Sequence, residues 1–264
     1  MKLTGQLLEL THRVQQPIQY YLQIGEEKFL LNDTIGKNTR IAFQNEIHCI
    51  YCGRKIKKTY NNGSCYPCFI KLPQNDLCIV KPNLCHYAEG TCRDSEFGDH
   101  HCNMSHYVYL ALSSDVKVGL TRTPNAFKRW VDQGAVQSIP IAELPTRKMA
   151  GDLELFLTNH LPDKTNWRKM LKGDIVEKDI LQIREEVRKL IPEEYQSYLL
   201  DIEEINEFIY PIQDTVTNVS SINLDKQPIF EGKLIGMKGQ YLLFDTGVLN
   251  VKKYAGYHIE IEFE

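Results

Sequence analysis

All eight cysteines of this 264-residue chain fall between Cys49 and Cys102, and no other feature constrains its folding as strongly. The first four read Cys49-Ile-Tyr-Cys52 and Cys65-Tyr-Pro-Cys68, two Cys-x-x-Cys turns separated by twelve residues. Each turn offers a pair of sulfurs, and a short hairpin brings the pairs together. Four thiolates in that arrangement make a closed tetrahedral zinc site, whose role is structural because no coordination position stays open. Cys78, Cys85, Cys92 and Cys102 follow at intervals of six, six and nine residues, which fit no common short motif. They suit a second structural zinc, with His86, His100, His101 and His106 as substitute ligands. An iron–sulfur cluster, or thiols that stay free and buried, are the alternatives. Residues 48 to 106 are rich in Asn, Gly and Pro and carry little periodic apolar pattern, so bound metal has to supply the order that a core would give.

Thiols used this way belong in a reducing compartment. Residues Met1 to Glu9 lack a signal-peptide layout, and no apolar run approaches the roughly 18 residues of a membrane span. A cytoplasmic chain with no membrane partner is the expectation, and secretion with four disulfides the alternative. Hydrophobic content of 42% and charged content of 25% are ordinary for a globular protein. The length allows one large domain or two to three small ones.

A net charge of −3 does not by itself point to nucleic acid, but its distribution is uneven. Residues 177–264 hold 17 acidic and 9 basic groups, a net −8, leaving +5 for the rest. The basic extreme is the first cysteine hairpin, where Arg54, Lys55, Lys57, Lys58 and Lys71 have no acid among them. This is a candidate phosphate-facing patch, or a solvated hairpin face.

Around the cysteines the chain changes character twice. Leu3 to Leu10, Ile18 to Ile24, Lys28 to Leu31 and Ile41 to Ile47 read as strands, with Gly25-Glu26 and Asn32-Asp33 as turns. Tyr107 to Leu112 and Val116 to Leu120 form a hairpin, followed by a helix over Pro124 to Gln133 and a short strand near Ser138 to Ala142. Met149, Leu153, Phe156 and Leu157 make a helical stripe. Helices are also expected over Asn166 to Leu171, Asp179 to Leu190 and Glu193 to Glu207. Strands return in the tail, at Phe230 to Ile235, Gln240 to Asp245, Gly247 to Lys252 and His258 to Phe263. Phe230-Glu-Gly-Lys-Leu-Ile235 echoes Leu3-Thr-Gly-Gln-Leu-Leu8, which permits two similar end barrels or one shared barrel.

The order Tyr107-Val108-Tyr109, Lys117-Val118-Gly119, Arg129 on a helix and Glu154 on a later helix resembles the GIY-YIG nuclease domain over roughly residues 106 to 170. Two positions depart from the pattern. Tyr107 stands at the glycine of the first motif and Lys117 at the tyrosine of the second, a lysine that some branches of that family also carry. The resemblance implies a Mg²⁺ or Mn²⁺ ion on Glu154, phosphate stabilisation by Arg129 and proton transfer through Tyr109. Lys117 and Arg122 add candidate phosphate contacts. Separately, Cys65-Tyr-Pro-Cys68-Phe69, Cys85-His86-Tyr87-x-x-Gly90-Thr91-Cys92-Arg93, Trp130-Val-Asp-Gln-Gly-Ala135, Asp163-Lys-Thr-Asn-Trp-Arg-Lys-Met-Leu171 and Lys238-Gly-Gln-Tyr241 resemble a bacterial family known only as a domain of unknown function. That likeness runs nearly full length and implies no activity.

The expectation is therefore an α+β chain in five regions. They are a small β-barrel-like part (1–47), a cysteine-rich zinc module (48–105), a GIY-YIG-like α/β domain (106–175), a helical segment (176–210) and a C-terminal β part (211–264). Function is expected to be zinc-supported binding of DNA or RNA by a divergent nuclease-like protein. An active metal-dependent endonuclease is the first alternative, and a zinc-held scaffold for a protein partner the second.

Overall fold

A computed structural model describes residues 1–217 and 219–264. They form two compact units, residues 1–70 with 208–264, and residues 71–207. Along the chain the first strands are β1 (Lys2–Gln6), β2 (Thr11–Arg13), β3 (Gln19–Ile24), β4 (Glu27–Leu30), β5 (Asn38–His48) and β6 (Lys55–Ile56). Short helices α1 (Tyr66–Lys71), α2 (Leu77–Val80) and α3 (Ser95–His101) follow. Next come β7 (His106–Leu112), β8 (Val116–Arg122), α4 (Ala126–Asp132), β9 (Gln137–Leu144), α5 (Arg147–Leu157), α6 (Trp167–Lys172), α7 (Ile180–Arg188) and β10 (Asn206–Glu207). The tail adds β11 (Ile229–Lys238), β12 (Tyr241–Phe244), β13 (Val248–Asn250) and β14 (Tyr257–Phe263). No helix of the described residues is long and apolar enough to cross a membrane.

In the first unit both ends of the chain enter one antiparallel sheet of order β1-β14-β5-β11-β12-β13, with β6 also on β5. Alternation fixes its inward face: Tyr257, Ile259, Ile261 and Phe263 of β14 are buried while the residues between them are half-exposed. The expected barrel does not close, because β1 and β13 end the path unpaired with one another among the described residues. Strand β1 ends at Gln6, Leu7 still donates to Tyr257 O at 2.8 Å, and Leu8 then donates to Gln23 O of β3 at 3.2 Å. The strand expected to reach Leu10 stops short of it, and the Leu10 backbone is paired by a side chain. The Gln240 amide accepts from its N–H and donates to its carbonyl, both at 2.9 Å. A smaller sheet, β2-β3-β4, buries Tyr20, Leu22 and Ile24 by the same alternation.

The second unit is built on the antiparallel sheet β10-β9-β7-β8. Val108, Leu110, Val118, Ile139 and Ile141 meet Ala150, Leu153 and Leu157 of α5 and Ile180 and Val187 of α7 in one core. The helix residues recur at three- and four-residue steps, which puts them on one face. Helix α5 begins after Thr146, whose hydroxyl accepts from the Met149 N–H, and α7 begins after Asp179, which accepts from Leu181 and Gln182. Residues 193–207 do not form the expected helix. Only one short 3-10 segment, Glu193–Tyr198, appears before the chain becomes extended. The open edge of β9 decides this: Leu200 donates to Ile141 O at 3.0 Å, and Asn206 pairs with Ser138. Backbone pairing to a strand edge outweighs weak local helix preference.

Candidate functional sites

Cys49 leaves the end of β5, and the β5–β6 pairing of His48 with Lys55 turns the chain back over it. Gly53, at φ +68°, donates to Cys49 O at 2.9 Å and closes the first knuckle. A bridge between Tyr60 and Ser64 delivers Cys65, and the first turn of α1 brings Cys68 round to it. All four sulfurs lie within 4.8 Å of one another, with Cys52 and Cys65 at 3.7 Å. A tetrahedral ion with bonds of ~2.3 Å needs sulfurs about 3.8 Å apart, so the set fits zinc-like coordination. The Cys65 N–H points at Cys49 Sγ at 3.2 Å and the Cys68 N–H at Cys65 Sγ at 3.5 Å, donors suited to thiolates. Burial pushes the Cys49 thiol up, but N–H groups of Cys65, Cys52 and Tyr51 outweigh it and bring it down to about 6. Desolvation and the neighbouring sulfurs push Cys68 up to about 12. Four crowded thiols share little negative charge until a cation joins them. These cysteines can hold a metal such as zinc.

The finger's basic residues Arg54, Lys55, Lys57 and Lys58 are all exposed. Lys55 reaches Glu46 at 3.1 Å, and Lys58 sits 5.1 Å over the Tyr60 ring. Tyr60 in turn packs against Tyr66 and Phe69, with centroids 5.4 and 5.8 Å away.

The later cysteines lie in the second unit. Cys78, Cys85 and Cys102 form a buried cluster with Tyr87 packed against it, and Cys92 is half-exposed. Asp76, Cys78 and His86 also bring ligand atoms within 4.8 Å. Burial leads the causes that push Cys78 up to about 11 and Cys102 up to about 12.

Tyr109, Lys117, Arg129 and Glu154 are brought together by β7, β8, α4 and α5. Tyr109 is wholly buried, and its hydroxyl donates to Gln133 Oε1 at 3.1 Å. Burial raises its pKa, against the pull of Arg129. Burial likewise raises the Glu154 carboxyl, opposed by Arg129 and Arg147. Lys117 is 5% exposed, so it is an interior group. Burial first, then Arg129, brings its ammonium down to about 8, while Asp163 and Glu154 pull the other way. Arg122 lies apart from this group, in a pocket of about 350 Å³ with Asp94, Glu96, Phe97, His100 and His101. Gln133, Arg147 and Asp163 join the cluster's surroundings without any motif to announce them. Asp163 arrives because Val118 donates to Pro162 O at 3.1 Å, a contact no local pattern encodes.

A family model described as "Protein of unknown function (DUF2797)" matches residues 36–259. No curated protein and no solved structure matches the chain.

Proposed function

The chain belongs to the DUF2797 family, whose description assigns no activity, and we propose from its own residues that it binds nucleic acid through a zinc-closed finger. One observation carries this reading: the finger joins exposed Arg54, Lys57 and Lys58 to the contiguous rings of Tyr60, Tyr66 and Phe69. Cations meet phosphates and release counterions, and the exposed Tyr66 ring, with half-buried Tyr60 and Phe69 beside it, offers a face on which an unpaired base can stack. Neither property needs a reading of sequence. The test is fluorescence anisotropy with labelled single- and double-stranded DNA and RNA across a salt series. The joint replacement of Arg54, Lys55, Lys57 and Lys58 by alanine is expected to weaken binding and flatten its salt dependence. Tyr60→Ala is expected to weaken single-strand binding about 5- to 160-fold, from a stacking contribution of ~1–3 kcal/mol per base. Affinity unchanged by both variants would sink the reading.

A second reading, phosphodiester cleavage, is favoured by the convergence of Tyr109, Lys117, Arg129 and Glu154. Glu154 is the carboxylate that would hold a hard divalent cation, with Asp163 close enough to act on its charge, and such an ion would supply Lewis acidity at the phosphate. Arg129 would neutralise charge on the phosphate oxygens. With its pKa raised, Tyr109 keeps its proton at neutral pH and serves as a hydrogen-bond donor. Lys117, near 8, is the group poised to exchange a proton at working pH. A cleavage assay with Mg²⁺ or Mn²⁺ tests this. Glu154→Gln is expected to abolish product with cysteine-bound metal unchanged, and product undiminished in that variant would overturn it.

A further inference from the structure

Arg147, the first residue of α5, is 7% exposed. Its Nη2 donates to the carbonyl oxygens of Cys78 at 3.3 Å and Ile79 at 2.8 Å, and its Nε has no hydrogen-bond partner. No ion pair among the described residues includes it. A guanidinium held this way is a buried charge whose side-chain hydrogen bonds go only to two neutral carbonyls, with no carboxylate in contact, which is a costly arrangement. The groups whose charge reaches it most strongly are Cys102, Cys78 and Cys85, with Glu154 behind them.

Those three cysteines are the buried cluster packed on Tyr87. Cys92 borders the same ring. Tyr87 lies over the point where Gly98 would carry a β-carbon, and Cys92 Sγ is 3.4 Å from that point. Neutral thiols do nothing to offset a guanidinium, whereas thiolates do. Buried thiolates in turn need a cation. One divalent ion on four thiolates leaves two negative charges, of which Arg147 cancels one. Of the other ligand atoms nearby, Asp76 and His86 Nδ1 have partners, while His106 Nε2, which like the cysteines lies within reach of the Arg147 charge, is buried with none. Asp76 meets Arg93 at 2.7 Å, and His86 Nδ1 meets Thr91 Oγ1 at 2.8 Å.

We propose that Cys78, Cys85, Cys92 and Cys102 hold one divalent ion of the zinc class as thiolates, with Arg147 as the buried countercharge that positions them. Each thiol gives its proton to solvent as the ion binds. The Arg147 N–H also donates to Cys102 O at 2.8 Å, and Gly151 lets α5 approach the backbone of Pro82 and Asn83. The ion thereby ties residues 78–102 to the helix that carries Glu154. Arg147 is a positioning residue here, and the site stands independently of the nucleic-acid reading.

The test is metal content of the purified full chain by elemental analysis, with chelator competition. Wild type is expected to hold two zinc ions. Cys85→Ser and Cys49→Ser should each hold one, and the double variant none, so that the first two distinguish loss of a site from general unfolding. Arg147→Met should surrender one ion at about 10- to 100-fold lower chelator concentration, the range for groups supporting metal ligands, and Arg147→Lys should recover part of that. One zinc per wild-type chain overturns the proposal, as does a full complement of two in Cys85→Ser. Iron with acid-labile sulfide overturns the single-ion form. Chelator resistance of Arg147→Met equal to wild type removes Arg147 from it.

Discussion

The Tyr109 hydroxyl lies 2.6 Å from the point where Gly119, its cross-strand partner, would carry a β-carbon. The ring therefore lies across its own neighbour in the hairpin, and its edge meets Trp130 at a centroid distance of 5.8 Å. Glycine at 119 is a condition for the tyrosine's position.

Gly119→Ala should displace that ring. The expected loss is about 1–3 kcal/mol of stability, the usual range for overpacking a filled core. Urea unfolding measures it, and a value within ~0.5 kcal/mol of wild type would mean that the ring shifts at no cost.

Gly151→Ala should be similarly costly for a different reason. The new methyl meets the Pro82–Asn83 backbone, which cannot rotate away as a side chain can. A loss of about 2–4 kcal/mol is expected. Helix propensity works the opposite way by ~1 kcal/mol, so a stabilised variant would show that the close approach is absent in solution.

Strands were legible where alternation is local. In β3 and β14 every second residue is buried, and their expected limits, Ile18 to Ile24 and His258 to Phe263, lie within a residue of those observed. The two Cys-x-x-Cys turns were legible because spacing alone brings their sulfurs together. Residues 199–207 were not, since their conformation is set by the edge of β9 and not by their own composition. Lys117 could be placed on a strand but not buried on paper: its interior position depends on residues 162–163 folding back beside it. Arg147 opens its helix against the helix dipole, but its burial beside the cysteines depends on how α5 packs, which no local pattern encodes.

Removing metal from the first cysteine set should release the finger. Its order rests on the two knuckles, the Tyr60–Ser64 bridge and a six-residue helix, too short to persist alone. Limited proteolysis after chelation is expected to cut between residues 50 and 70, and readdition of zinc to restore protection. Equal resistance with and without chelator would contradict a structural ion.

Lys238 offers a pH test away from any cysteine. It is 3% exposed, and burial brings its ammonium from 10.5 down to about 8. The folded pKa lies below the unfolded one, so the unfolded chain binds more protons between them. The penalty is full below pH 8 and fades as pH rises towards 10.5. Lys238→Met should stabilise the protein by about 1–2 kcal/mol at pH 7, after allowing for the lost contact with the Tyr210 ring. The gap between variant and wild type should shrink between pH 8 and 10. A gap constant over that range would contradict the assignment.

The shared sheet of the first unit sets a schedule for biogenesis. Strand β5 receives its neighbours β11 and β14 from residues 229–263, while residues 71–207 are complete well before those emerge from the ribosome. The second unit has all its own strands in hand first, and residues 1–48 wait with unpaired edges through most of translation. A chain stalled before residue 229 would leave β5 without its two long partners, a ready surface for chaperones or for aggregation.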